Sequence, residues 1–66
     1  MKKYFKTELI ENFIKAKWWS ISKFCKECKI GVVVYRKIMN QQLNFRTIAL
    51  FKIARVMNVG LKQLYC

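Results

Sequence analysis

The sequence predicts an all-α fold of five short helices in a single domain, and three observations lead there. The 66-residue chain contains no proline and two glycines, Gly31 and Gly60, too few turn residues for a small strand-rich domain. Apolar residues recur at three- and four-residue steps in successive segments. A chain this short buries only about 60% of its unfolded surface, so its core has to be efficient. A hydrophobic fraction of 55% with five Phe, three Tyr and two Trp can supply one.

Residues 1–6 are read as a basic N-terminal arm ahead of the first helix. In "TELIENFIKAK", residues 7–17, Leu9, Ile10, Phe13, Ile14 and Ala16 recur at helical spacing. Glutamates occupy its early turns and lysines its late ones, an order that suits the helix macrodipole, with Thr7 as cap. Trp18 and Trp19 end the helix and are expected to close one side of the core. Ser20 then opens "SISKFCKECK", where a capping hydroxyl precedes Phe24, Cys25 and Cys28, the apolar face of a short helix of about two turns. Ile30 and Gly31 make a compact turn.

The next segment, "VVVYRKIM", is ambiguous, because three β-branched residues in a row favour a strand by local propensity. Strand alternation fails at "RKIM", however. Wound as a helix, Val34, Tyr35, Ile38 and Met39 share one face and Val32, Val33, Arg36 and Lys37 point elsewhere, so the helix is preferred. "NQQLNF" is a polar connection. "RTIALFKIARVMN" gives a fourth helix with Ile48, Leu50, Phe51, Ile53, Ala54 and Met57 as a broad apolar face, leaving Lys52 and Arg55 outside. A last turn or two follows Gly60, returning Leu61, Leu64 and Tyr65 to the core.

Fourteen Lys and Arg against three Glu give a formal net charge of +11. The cations are spread along the chain, which implies a folded basic surface that attracts polyanions, either nucleic acid or an anionic membrane. With no His and no Asp, and with Glu8, Glu11 and Glu27 confined to two helices, acid–base catalysis has few candidates and no enzyme is expected. Cys25-x-x-Cys28 lacks the further ligands zinc needs, and a thioredoxin-type motif would need a preceding strand; both thiols suit core packing. No metal, cofactor or small-molecule ligand is expected. Glu8, Glu11 and Asn12 interrupt any apolar signal region, and no run approaches the roughly 18 apolar residues of a membrane span. A cytoplasmic protein with reduced thiols is the expectation.

From Ser20 to Met39, "SISKFCKECKIGVVVYRKIM" resembles the helix-turn-helix of lambda-repressor/Cro (XRE) type DNA-binding domains. The following "TIALFKIARVMNVGLKQLY" resembles that family's fourth and fifth helices, so the likeness spans residues 7–65. Cys25 stands where the family places a small residue at the crossing of the two helices, and Ile30 matches the apolar anchor of the turn. Tyr35 and Ile38 match the inward residues of the second helix, and Ala54 matches the small residue of helix four. Three positions depart from the pattern. Lys29 replaces the usual turn glycine, Ile21 a phosphate-bracing glutamine, and Val32-Val33 the polar start of the recognition helix.

The resemblance implies a compact five-helix lambda-repressor-like domain that regulates transcription, of the repressor kind common in phages and mobile elements. Its partner would be double-stranded DNA in the bacterial nucleoid, bound as a homodimer, with DNA-assisted pairing as one route. The recognition helix Val32–Met39 would lie in the major groove. Val32 and Val33 could then read thymine methyls, and Arg36 and Lys37 guanine O6/N7 or phosphate. Lys17, Ser20, Ser22 and Lys23 on one side, and Asn40, Gln41, Gln42 and Asn44 on the other, would grip the backbone and set register. Asn40 and Asn44 equally suit helix capping, and Arg46, Lys52 and Arg55 a solvated face. Two rival readings stand beside this one: a cationic membrane-active helical peptide resembling leaderless bacteriocins, and a protein-binding module that presents the valine triplet.

Overall fold

The computed structural model describes residues 3–66. Four α-helices follow one another: α1 (Thr7–Lys17), α2 (Ile21–Cys28), α3 (Val32–Met39) and α4 (Ile48–Met57). A 3-10 helix, Leu61–Leu64, takes the place of the expected fifth α-helix. Backbone pairing fixes where it ends. The Lys6 N–H donates to the Leu64 carbonyl (2.8 Å) and the Cys66 N–H to the Tyr4 carbonyl (3.1 Å), forming an antiparallel bridge between Phe5 and Tyr65. Those bonds hold the chain extended immediately after Leu64, so no further helical turn can form. Among the described residues no β-strand forms.

The valine triplet is helical. Val32–Met39 winds as α3 because Tyr35 and Ile38 enter the core, and that burial outweighs the β-propensity of three valines. Helix α2 starts as its sequence implies, with the Ser20 hydroxyl oxygen accepting from the Lys23 N–H at 3.1 Å. Helix α1 does not. Lys6 occupies its N-cap position and Thr7 is its first helical residue, so no side chain caps it.

Left-handed backbone closes three of the helices, at Trp18 (φ 59°), Lys29 (φ 57°) and Asn58 (φ 58°), and Gln41 (φ 60°) repeats it just after α3. Both glycines lie outside that region. At Trp18 the turn throws the indole outward, 94% exposed, so only Trp19 helps close the core. Trp19 meets Phe13 edge-on at 5.6 Å, and Phe13 leads through Phe24 to Tyr35 by further edge contacts of 6.0 Å.

Phe24, Cys25 and Cys28 of α2, Tyr35 and Ile38 of α3, and Leu50, Ile53 and Ala54 of α4 share one core with Ile10 and Ile14 of α1. Phe5, within the expected basic arm, is 1% exposed and packs on Phe45 (5.7 Å) and Tyr65 (5.6 Å). Residues 4–6 are therefore docked into the fold and do not form a free arm; its first two residues lie outside the described ones. In α4 the apolar face is narrower than its sequence implies. Ala49 is buried in place of Ile48 and Phe51, which are more than half exposed, because the face centres on Leu50, Ile53, Ala54 and Met57. Tyr65 is also partly exposed, covering Phe5 from outside.

Candidate nucleic-acid interface

Helix α3 has two unlike sides. Tyr35 and Ile38 fix it to the core, with Val34 and Met39 packed at the margins. Val32, Val33 and Arg36 lie on the exposed side, Val33 at 66% exposure. Gly31 precedes them in extended backbone and has no side chain to cap the helix, so no side chain satisfies the first N–H groups of α3. Lys37 is half-buried, and its ammonium donates to the Asn44 carbonyl at 3.1 Å, which ties the loop after α3 back onto the helix.

The flanking residues divide by what else they do. Ser20 is the α2 cap, and Ser22 stands free on the exposed first turn beside it. Lys23 pairs with Glu27 at 3.1 Å on the surface and lies over the Trp19 ring at 5.9 Å. Lys17 lies over the Phe13 ring at 5.8 Å. Asn40 is exposed, and its backbone rather than its side chain ends α3, the N–H donating to the Arg36 carbonyl at 2.9 Å. Asn44 is exposed and caps no helix among the described residues.

Gln41 has a different task from the one its position implies. Its side-chain oxygen accepts from the Tyr4 and Phe5 N–H groups, both at 2.8 Å, and its amide N–H donates to the Phe5 carbonyl at 3.0 Å. The side chain thus acts as a backbone surrogate pairing with the N-terminal segment. No spacing in the sequence signals this, because partners 36 and 37 residues away are set by the fold.

A second feature escaped the sequence. Between the Lys29–Gly31 turn, α3 and the start of α4 runs an open groove of about 390 Å³. Its floor is Ile30, Val34, Phe45 and Ala49, and its rim carries Lys29, Lys37, Arg46 and Lys52. Lys52 is not simply solvated; its ammonium reaches across to the Lys29 carbonyl at 3.4 Å. The rim forms only because α4 sits beside the turn, which charge spacing alone does not reveal.

The paired thiols belong to the core. Burial pushes the Cys25 thiol up, and burial, aided by Cys25 and Glu27 nearby, pushes Cys28 up to about 12. Both are neutral at ordinary pH, the form that packs as a small apolar side chain. Cys66 is exposed. Among the described residues no group of three or more His, Cys, Asp or Glu is placed to hold a metal ion, and no helix is long and apolar enough to cross a membrane. Comparison of the chain with protein-family models, with curated proteins and with solved structures finds no match.

Proposed function

We propose that this chain is a sequence-specific double-stranded DNA-binding regulator of transcription, a repressor of phage or mobile-element type acting at the nucleoid. In this proposal α2, the Lys29–Gly31 turn and α3 work as a helix-turn-helix, with α3 in the major groove. One observation carries it: α3 is anchored on one side by Tyr35 and Ile38 and offers Val32, Val33 and Arg36 on the other, on a body with a net charge of +11. An eight-residue helix is about 12 Å long and fits a groove about 12 Å wide.

The chemistry of that side limits what can be read. Valine makes no hydrogen bond, so Val32 and Val33 recognise thymine methyls by apolar contact. Arg36 supplies the polar readout, with guanine O6/N7 as the partner its fork fits, a contact worth roughly 1–3 kcal/mol of discrimination. Lys37 keeps further ammonium protons for a phosphate while it holds Asn44. Lys17, Ser22, Lys23 and Asn40 grip the backbone on either side. Gln41 takes no part, since its amide is committed to residues 4 and 5. Two copies would read two half-sites about 34 Å apart, paired on the DNA.

Selection from random duplex DNA with the purified protein, followed by anisotropy on the enriched sequence, tests the proposal. If each of two subunits neutralises about four phosphates, log K falls against log salt with a slope near −7. A slope near zero, or no enriched sequence, refutes it. Dye leakage from anionic vesicles at low protein concentration would instead favour the membrane-active alternative.

A further inference from the structure

We infer that the groove between the Lys29–Gly31 turn and the start of α4 docks an acidic polypeptide segment that carries a large apolar side chain. The floor is apolar, with Ile30, Val34 and Phe45 half-buried and open to solvent along the groove. Ile48, the first residue of α4, stands at its lip, 57% exposed. Its rim has four cations and no acidic residue. Two of the four, Lys37 and Lys52, already lean on the rim through contacts with the Asn44 and Lys29 carbonyls at 3.1 and 3.4 Å. Ordering those side chains on binding therefore costs less than ordering free lysines.

An apolar floor inside a charged rim matches the anatomy of protein-docking sites, where a buried anchor supplies affinity and rim charges steer. A second copy of this chain could offer the rim only three glutamates among fourteen cations, so it is a poor complement to this groove. A phosphodiester backbone would satisfy the rim and leave the floor wet. An acidic segment with a leucine or phenylalanine satisfies both. The groove borders α3 through Val34 and Lys37, so, if α3 meets DNA as proposed above, an occupant and a duplex exclude one another.

The probe is a labelled, end-blocked peptide of glutamates flanking a central Leu-Phe pair. In one control the pair is replaced by serines; in the other the glutamates are. At physiological salt the full peptide should bind at least about tenfold more tightly than the Leu-Phe-less control, as burial of a large apolar side chain provides. Amide signals of Ile30, Val34 and Lys52 should move. Ile48→Ser, a change at an exposed site, should weaken binding several-fold, and the pair Lys29→Gln and Arg46→Gln should weaken it further. Equal binding of both acidic peptides would mean that the groove only collects anions, and would overturn the inference; so would signals that move elsewhere. Displacement of duplex DNA by the peptide is read separately. Peptide binding without DNA binding would leave the docking site standing and remove the regulator, and DNA binding without peptide binding would do the reverse.

Discussion

Gln41→Ala is the substitution that most sharply tests how the N-terminal segment is held. The wild-type amide makes three hydrogen bonds to the backbone of Tyr4 and Phe5, at 2.8, 2.8 and 3.0 Å. A net value of about 0.5–1.5 kcal/mol each sets an upper range, and water can replace the exposed Tyr4 bond at little loss. The two part-buried bonds to Phe5 then account for about 2 kcal/mol. For a 66-residue chain each kcal/mol shifts Tm by roughly 7 °C, so thermal circular dichroism should show a fall of about 14 °C. Alanine retains the strained left-handed backbone at this position (φ 60°). Gln41→Gly loses the same bonds but relieves roughly 1–2 kcal/mol of backbone strain, partly offset by about 0.4–1 kcal/mol of unfolded-chain entropy. The glycine variant should therefore melt above the alanine one. Amide exchange at Phe5 should accelerate in both. A Gln41→Ala melt within about 3 °C of wild type, with Phe5 exchange unchanged, would refute the clasp.

Lys29→Gly should stabilise the fold by about 0.5–1 kcal/mol in urea denaturation, because it relieves a left-handed residue (φ 57°) whose side chain is exposed; a lower midpoint would count against that strain. Cys66 should react with an aromatic disulfide at once, whereas Cys25 and Cys28 should react only on unfolding, as a stopped-flow thiol count can show. With the Cys28 thiol raised from 9.0 to about 12, the folded state keeps a proton the unfolded state loses. The stabilisation this provides is fully present below about pH 9 and is lost as pH rises toward about 12. Cys28→Ala should flatten that alkaline fall in urea midpoints, and an identical slope in both proteins would contradict it. Val33→Glu, at a 66% exposed position, should leave stability within about 0.5 kcal/mol and oligomeric state unchanged while abolishing duplex binding; retained binding would remove α3 from the interface.

The parts of the fold legible in the sequence are those fixed by local chemistry. Ser20 caps α2 because a serine before Phe24, Cys25 and Cys28 has both the hydroxyl and the periodicity it needs. The all-helical class followed from spacing, which overrode the valine triplet once Tyr35 and Ile38 were seen to share a face. What stayed hidden depends on long-range pairing. Phe5 looked like part of a basic arm because its partners, Gln41, Phe45 and Tyr65, are brought to it only by the finished fold. That same pairing holds Tyr65 extended and ends the last helix, a 3-10 turn, at Leu64. Trp18 and Ile48 misled for another reason: hydrophobicity says what can be buried, and small changes in helix phase or a left-handed cap decide whether it is. The exposed side of α3 was legible as a face, whereas the groove was not, since its rim combines cations from the turn, α3, the loop and α4.

The proposed DNA contact turns on which surface of α3 a duplex would touch. Intermolecular NOEs between methyl-labelled protein and a selected duplex measure this directly. Contacts from the Val32 and Val33 methyls to thymine methyls and other major-groove protons are expected. A bound duplex whose contacts fall on α1 or around Trp18, with the valine methyls silent, would contradict it.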